Sequence, residues 1–264
     1  MIRILFVGDV MGEAGRRMMH ARLNGIVDHE RVDLVVANIE NVAGGFGITA
    51  KVLEELETLP VDVWTTGNHV WDKKEGIPLL DAHPTLLRPA NYPEGNPGRG
   101  WCVAETAAGV PVAVVNLQGQ AMMQPIDNAF RCADRVLEEI RSRWPELKVV
   151  VVDMHAEATS EKQAMGWYLD GRATAVLGTH THVPTADERI LPGGTALQTD
   201  VGMTGPYESV IGMRPEKVIE RFLYNTPRPF EPAKRGLQLR GALVDADPAT
   251  GRALAIRRVT VDGM

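Results

Sequence analysis

The sequence predicts an α/β fold, and three observations carry that expectation. Short runs rich in β-branched residues, such as VVVVDM at 149–154, alternate with longer segments whose apolar residues recur at helical spacing. Most of the short runs end against Gly, Asn, Asp or His, as buried strands of such sheets do. At 264 residues, 44% of them hydrophobic, the chain is long enough to bury a full core, and no boundary divides residues 1–264, so one domain is expected.

Ile2–Val7 reads as the first strand, ending at Gly8-Asp9, and Glu13–Val27 as the first helix. Leu34–Ile39 is the second strand, followed by a helix over Ala50–Leu56 with Thr49 as N-cap. Val61–Thr66 is a third strand. Asn91–Gly100, dense in Pro, Gly and Asn, is a loop, and Val110–Leu117 returns to strand. Asn128–Arg143 is a helix with Asp127 as N-cap, Val149–Met154 a strand, Ser160–Leu169 a helix with Thr159 as N-cap, and Ala173–Gly178 a strand. A helix over Pro215–Phe222 precedes a hairpin, Leu237–Asp245 and Ala253–Val261 about a Pro-Ala-Thr-Gly turn, expected to add strands to a second sheet.

Composition narrows the function. A charged fraction of 23% with net charge −6 lacks the basic excess that tight binding of long nucleic acids requires. Cys102 and Cys132 are far apart and read as buried free thiols, which leaves no thiolate metal site. The apolar run of MIRILFVGDV meets Gly8-Asp9 too early for a secretory signal, and no stretch approaches the roughly 18 apolar residues of a membrane span, so a cytoplasmic protein is expected.

The chemistry sits at strand ends, where α/β sheets place their sites. Five ends carry Gly8-Asp9, Asn38-Ile39-Glu40-Asn41, Gly67-Asn68-His69, Asp153-Met154-His155 and Gly178-Thr179-His180-Thr181-His182. Asp9, Glu40, Asn41, Asn68, His155, His180 and His182 offer seven oxygen or nitrogen ligands without thiolate, too many for one tetrahedral ion, so a dinuclear site is expected. Two dications set against two carboxylates and a hydroxide leave one positive charge, which favours an anionic substrate such as a phosphate ester. On extended chain the two imidazoles of His-x-His lie on the same face, and a tight loop could turn both onto adjacent metals.

These blocks resemble the signature segments of the calcineurin-like metallophosphoesterases, in order and strand context. Asn38-Ile39-Glu40-Asn41, DMHAEATSEK at 153–162 and TDVGMTGP at 199–206 resemble more closely its bacterial 2′,3′-cyclic-nucleotide 2′-phosphodiesterase branch, the YmdB-like proteins, across nearly the whole chain. Two departures from the broad superfamily, Met11 in place of a histidine and Glu40-Asn41 in place of an aspartate segment, match that branch. The resemblance implies a sandwich of two mixed β-sheets flanked by helices. It implies Asp9, Asn41 and His182 on one metal, Asn68, His155 and His180 on the other, and Glu40 shared. It further implies two ions per chain, Fe in the first place with Mn or Zn as alternatives, hydroxide attack on phosphorus, and His69 as general acid, with a role in orienting Asn68 as the plainer reading of that histidine. The expected partner is a small cyclic nucleotide; homo-oligomerisation is compatible with the sequence but not fixed by it. A phosphatase, nuclease or nucleotide pyrophosphatase with the same core, and a regulatory protein that senses nucleotides or RNA ends, remain the alternatives.

Around the site, Gly44, Gly45 and Gly47 lack the Lys-Ser or Lys-Thr of a phosphate loop and are expected to let backbone pass close to the metals. Asp153, Glu157 and Ser160 are expected to orient His155. The Met18-Met19 and Met122-Met123 pairs are expected to fill core, and His20, His29 and His83 to lie at the surface or cap helices.

Overall fold

The computed structural model describes residues 1–227 and 229–263. Two mixed sheets pack face to face with helices outside. The first holds β1 (Ile2–Val7), β2 (Asp9–Val10), β3 (Leu34–Asn38), β4 (Val63–Thr65), β11 (Met203–Pro206), β12 (Leu237–Ala246) and β13 (Ala253–Asp262). The second holds β5 (Trp101–Glu105), β6 (Pro111–Gln118), β7 (Val149–His155), β8 (Ala175–Thr179), β9 (Arg189–Ile190) and β10 (Ala196–Gln198). β1, β3 and β4 run parallel, as do β6, β7 and β8, while β12 and β5 join their sheets antiparallel. The helices are α1 (Gly12–Glu30), α2 (Ala50–Leu56), α3 (Leu79–Ala82), α4 (Ala129–Arg143), α5 (Thr159–Tyr168) and α6 (Pro215–Tyr224).

Strand alternation explains how this framework makes both a core and a site. Successive side chains of a strand point to opposite faces. Ile4, Phe6, Leu34, Val36, Val63, Val112, Val114, Val149, Val151, Ala175 and Leu177 therefore meet in one buried cluster between the sheets. The intervening residues of β6 and β7, Val115, Val150 and Val152 among them, pack outward on Val136, Leu137 and Ile140 of α4. The outer face of the first sheet packs Leu5 and Val35 against Met18, Met19 and Leu23 of α1. Continuing each inner face by two residues replaces apolar by polar groups: Val36 gives way to Asn38, Val63 to Thr65, Val151 to Asp153 and His155, and Leu177 to Thr179. The sandwich thus becomes polar at the ends of its parallel strands.

Several expectations are corrected. The hairpin of β12 and β13 does not go to a second sheet: β12 pairs residue by residue with β1, from Ile2 with Ala246 to Val7 with Gly241. Asn128, not Asp127, caps α4, its side-chain oxygen accepting from the Arg131 N–H at 3.0 Å. Thr159 lies inside α5, and Ala158 holds the N-cap position without a side-chain bond. Met18 and Met19 are buried as expected, but Met122 is exposed, at positive φ, and only its neighbour Met123 packs on the core. His20 and His29 lie at the surface, and His83 follows α3 and pairs with Glu57.

Both cysteines are buried and free. Burial pushes the Cys102 thiol up to about 12 and raises that of Cys132. At pH 8 a thiol reagent should therefore label Cys102 in the native protein on the order of a thousandfold more slowly than an exposed cysteine. Both thiols should titrate at once in denaturant, which absorbance of the released chromophore would record.

Candidate metal centre

Four side chains converge on one point between the sheet ends. The Nε2 atom of His155, at the end of β7, lies 2.9 Å from Asn68 Oδ1, 3.1 Å from Glu40 Oε1 and 3.1 Å from His180 Nδ1. Hydrogen bonding cannot satisfy this set. Thr179 Oγ1 gives its one proton to Asp153 Oδ1 at 2.7 Å, so its 2.9 Å contact with His155 Nδ1 is one in which the imidazole donates. That leaves the His155 Nε2 lone pair, or at most one proton, facing three lone-pair-bearing atoms. Donors at right angles around a cation, each about 2.1 Å from it, stand about 3 Å apart, which is the spacing found. Glu40, His155 and His180 form a cluster able to hold a metal ion.

The neighbouring groups add a second set of unpaired atoms. Asp9, on β2, is fully buried; its Oδ2 accepts from the His180 N–H at 3.1 Å, while its Oδ1 has no hydrogen-bond partner. Asn41 is buried with its Oδ1 likewise unpartnered, its amide nitrogen donating to the Gly45 carbonyl. Such atoms cost free energy unless something binds them. The donor chemistry, oxygen and imidazole nitrogen, fits hard or borderline cations, so the residues present fit the expected metals.

Each imidazole is held by its other nitrogen. His155 leans on Thr179 and through it on Asp153, whose second oxygen accepts from Thr65 Oγ1 at 2.5 Å and Asn38 Nδ2 at 3.0 Å across the sheet interface. His180 Nε2 meets Glu157 Oε2 at 3.1 Å, leaving Nδ1 for the cluster. His182 Nδ1 donates to the Ile211 carbonyl at 3.0 Å, leaving Nε2. The His-x-His segment is a turn and not an extended strand end: His180 has φ 98° and His182 φ 65°, left-handed backbone that L-residues rarely adopt. Gly67 is required here, since a Cβ would stand 2.2 Å from His155 Nε2 and 2.5 Å from Glu40 Oε2.

The electrostatics agree. Burial pushes the Glu40 carboxyl up, but His155 and His69 outweigh it and bring it to about 2. Burial pulls His155 down, yet Glu40 and Asp9 raise it to about 9. Burial and the neighbouring His155 lower His180 to about 3. Burial raises Asp9 and takes Asp153 to about 6. Glu40 and His155 thus stabilise each other's charge, while the buried Asp9 carboxylate keeps one oxygen without a hydrogen-bond partner.

His69 stands beside this cluster. Its backbone N–H donates to Glu40 Oε2 at 2.9 Å, its Nδ1 meets Asp72 Oδ2 at 2.8 Å, and the Phe46 ring lies edge-on with centroids 4.9 Å apart. Gly44, Gly45 and Gly47, all at positive φ, wrap the loop around the Glu40-Asn41 backbone, with the Gly47 N–H donating to the Glu40 carbonyl at 2.6 Å. Met11 is buried in an apolar cluster with Met203 and Met213. Of the residues expected around His155, Asp153 acts through Thr179, Glu157 contacts His180 instead, and Ser160 lies in the first turn of α5. Sequence reading missed Thr179 and Asp72; the three-residue spacing from His69 was the one signal for Asp72. Two surface cavities, of about 680 and 840 Å³, lie away from these residues, the first lined by Trp101 and Arg143, the second by Arg214 and Lys234.

A family model described as "YmdB-like protein" matches residues 5–259. The chain is 46% identical over 261 residues to the 2′,3′-cyclic-nucleotide 2′-phosphodiesterase of Bacillus subtilis, covering 99% of this chain and 97% of that protein. Among solved structures, a hypothetical protein from Thermus thermophilus superposes with a TM-score of 0.91 at 44% identity, covering 99% of both chains. A novel phosphatase from Mycoplasma pneumoniae superposes at 0.92 with 35% identity, over 99% of this chain and 93% of that one.

Proposed function

The chain belongs to the YmdB-like family, and on that premise we propose that residues 1–264 form one metal-dependent phosphodiesterase domain that opens 2′,3′-cyclic nucleotides to 3′-nucleotides. The observation that carries this reading is the convergence of Asn68, Glu40 and His180 on His155 Nε2, a donor set that hydrogen bonds cannot satisfy. Asn68, His155 and His180 would hold one cation, Asp9, Asn41 and His182 the other, with Glu40 shared. Bound there, the two cations would supply an acidified water and neutralise charge on the phosphoryl oxygens. Iron is the first expectation for the native metal, with Mn or Zn as alternatives.

The protein's own groups perform the remaining work. Asp72 accepts from His69 Nδ1 and fixes the ring, so the opposite nitrogen is the one left to exchange a proton with substrate. His69 would give that proton to the ribose O2′ as its bond to phosphorus breaks and water adds at phosphorus, yielding a free 2′-hydroxyl and a 3′-phosphate. Thr179, Glu157 and the Ile211 carbonyl hold the three imidazoles in the tautomers that face the cluster.

No helix among the described residues is long and apolar enough to cross a membrane. A small anionic substrate and a cytoplasmic setting complete the proposal.

The test is hydrolysis of 2′,3′-cyclic AMP set against a phosphomonoester and an RNA oligomer. Preferential release of 3′-AMP supports the reading, and monoester cleavage alone would replace it by a phosphatase. Chelation should also lower the thermal midpoint. A cation at a thousandfold over its dissociation constant stabilises by about 4 kcal/mol, or about 10 °C for a chain of this size. Differential scanning calorimetry before and after removal measures it.

A further inference from the structure

Lys162 is 2% exposed on α5, and its Nζ donates to Asp200 Oδ2 at 2.8 Å. The same oxygen accepts from the Thr181 N–H at 3.1 Å and from Thr181 Oγ1 at 2.7 Å, while Asp200 Oδ1 accepts from the Gly202 N–H at 2.8 Å. Asp200 is itself 1% exposed. Thr181 is the residue between His180 and His182, the two histidines in left-handed backbone. The Lys162 stem runs beneath Gly178, where a Cβ would stand 2.8 Å from its Cδ, at the strand end that leads into this turn.

A buried ion pair is seldom more stabilising than well-packed apolar residues of the same volume, so its presence calls for a reason of conformation. Strained backbone persists only where the surroundings over-determine it. Here the surroundings are one carboxylate gripping the middle of the turn by two bonds. The Asp9 carboxylate, which accepts from the His180 N–H, would grip its start.

We propose that Lys162 and Asp200 are positioning residues that hold the His180-Thr181-His182 turn in the conformation aiming its two imidazoles, and thereby set the affinity of the centre for its cations. The proposal rests on the metal-centre reading above. Neither residue touches the cluster; both act through Thr181.

The experiment is titration of the chelated full-length protein with Mn(II), followed by the electron paramagnetic resonance of free ion, with far-ultraviolet circular dichroism and thermal midpoint recorded on each variant. Thr181→Val keeps volume and the buried pair but deletes the hydroxyl bond. Its dissociation constant should rise about tenfold with the metal-free midpoint within a few degrees of wild type, and Thr181→Ser should restore affinity. Asp200→Asn should lose more, up to about a hundredfold. If Asp200→Asn fails to fold, the Thr181 pair decides. Wild-type Mn(II) affinity in Thr181→Val overturns the clamp alone, whereas a wild type that binds no Mn(II) overturns the metal-centre reading and the clamp with it.

Discussion

Glu40→Gln is expected to leave the chain folded, hold less than one metal per protein and lower kcat/KM for 2′,3′-cyclic AMP by about three orders of magnitude or more. The two oxygens of Glu40 do different work: Oε1 faces His155 Nε2 at 3.1 Å and Oε2 accepts from the His69 N–H at 2.9 Å. An amide cannot serve both positions. One orientation sets its NH2 against the His69 N–H, donor against donor; the other turns the NH2 toward the cluster, where it would repel a cation. The side chain is 1% exposed, so water cannot substitute for the lost oxygen. Elemental analysis beside steady-state kinetics reads both losses, and full metal content with near-normal rate would remove Glu40 from the centre.

His69→Gln should behave in the opposite way on metal content. Two metals should remain, while kcat for the cyclic nucleotide falls about 10²- to 10⁴-fold, the usual worth of a positioned general acid. Substrate choice separates this from an orienting role. Bis(p-nitrophenyl) phosphate expels a leaving group that needs no proton, so its hydrolysis should fall far less in His69→Gln than that of 2′,3′-cyclic AMP. Equal losses on both substrates would assign His69 to the orientation of Asn68. Asp72→Asn should show the same substrate pattern with a smaller loss, because it weakens the 2.8 Å contact that orients the ring.

Much of this site was legible because strands have a period of two. In VVVVDMH the apolar face Val149 and Val151 continues into Asp153 and His155, so one glance along β7 finds both a cluster residue and the carboxylate behind it. The same reading works for Val36, Asn38 and Glu40. What the sequence hid is what only folding brings together. Thr179 reaches His155 across 24 residues, Lys162 reaches Asp200 across 38, and Asn38 reaches Asp153 across 115. Short elements were hidden for another reason: β2, β9, β10 and β11 have two to four residues, too few for any period to show. The hairpin was recognised but sent to the wrong sheet, since alternation reveals a buried face and not the strand that will cover its edge.

The most direct measurement is the rate of 3′-AMP release from 2′,3′-cyclic AMP as metal is returned to the chelated protein in counted equivalents. A two-metal centre predicts no hydrolysis without metal and a rate that rises to a plateau at two equivalents per chain. Undiminished hydrolysis by the metal-free protein, or a plateau at two bound equivalents with no 3′-AMP formed, would contradict it.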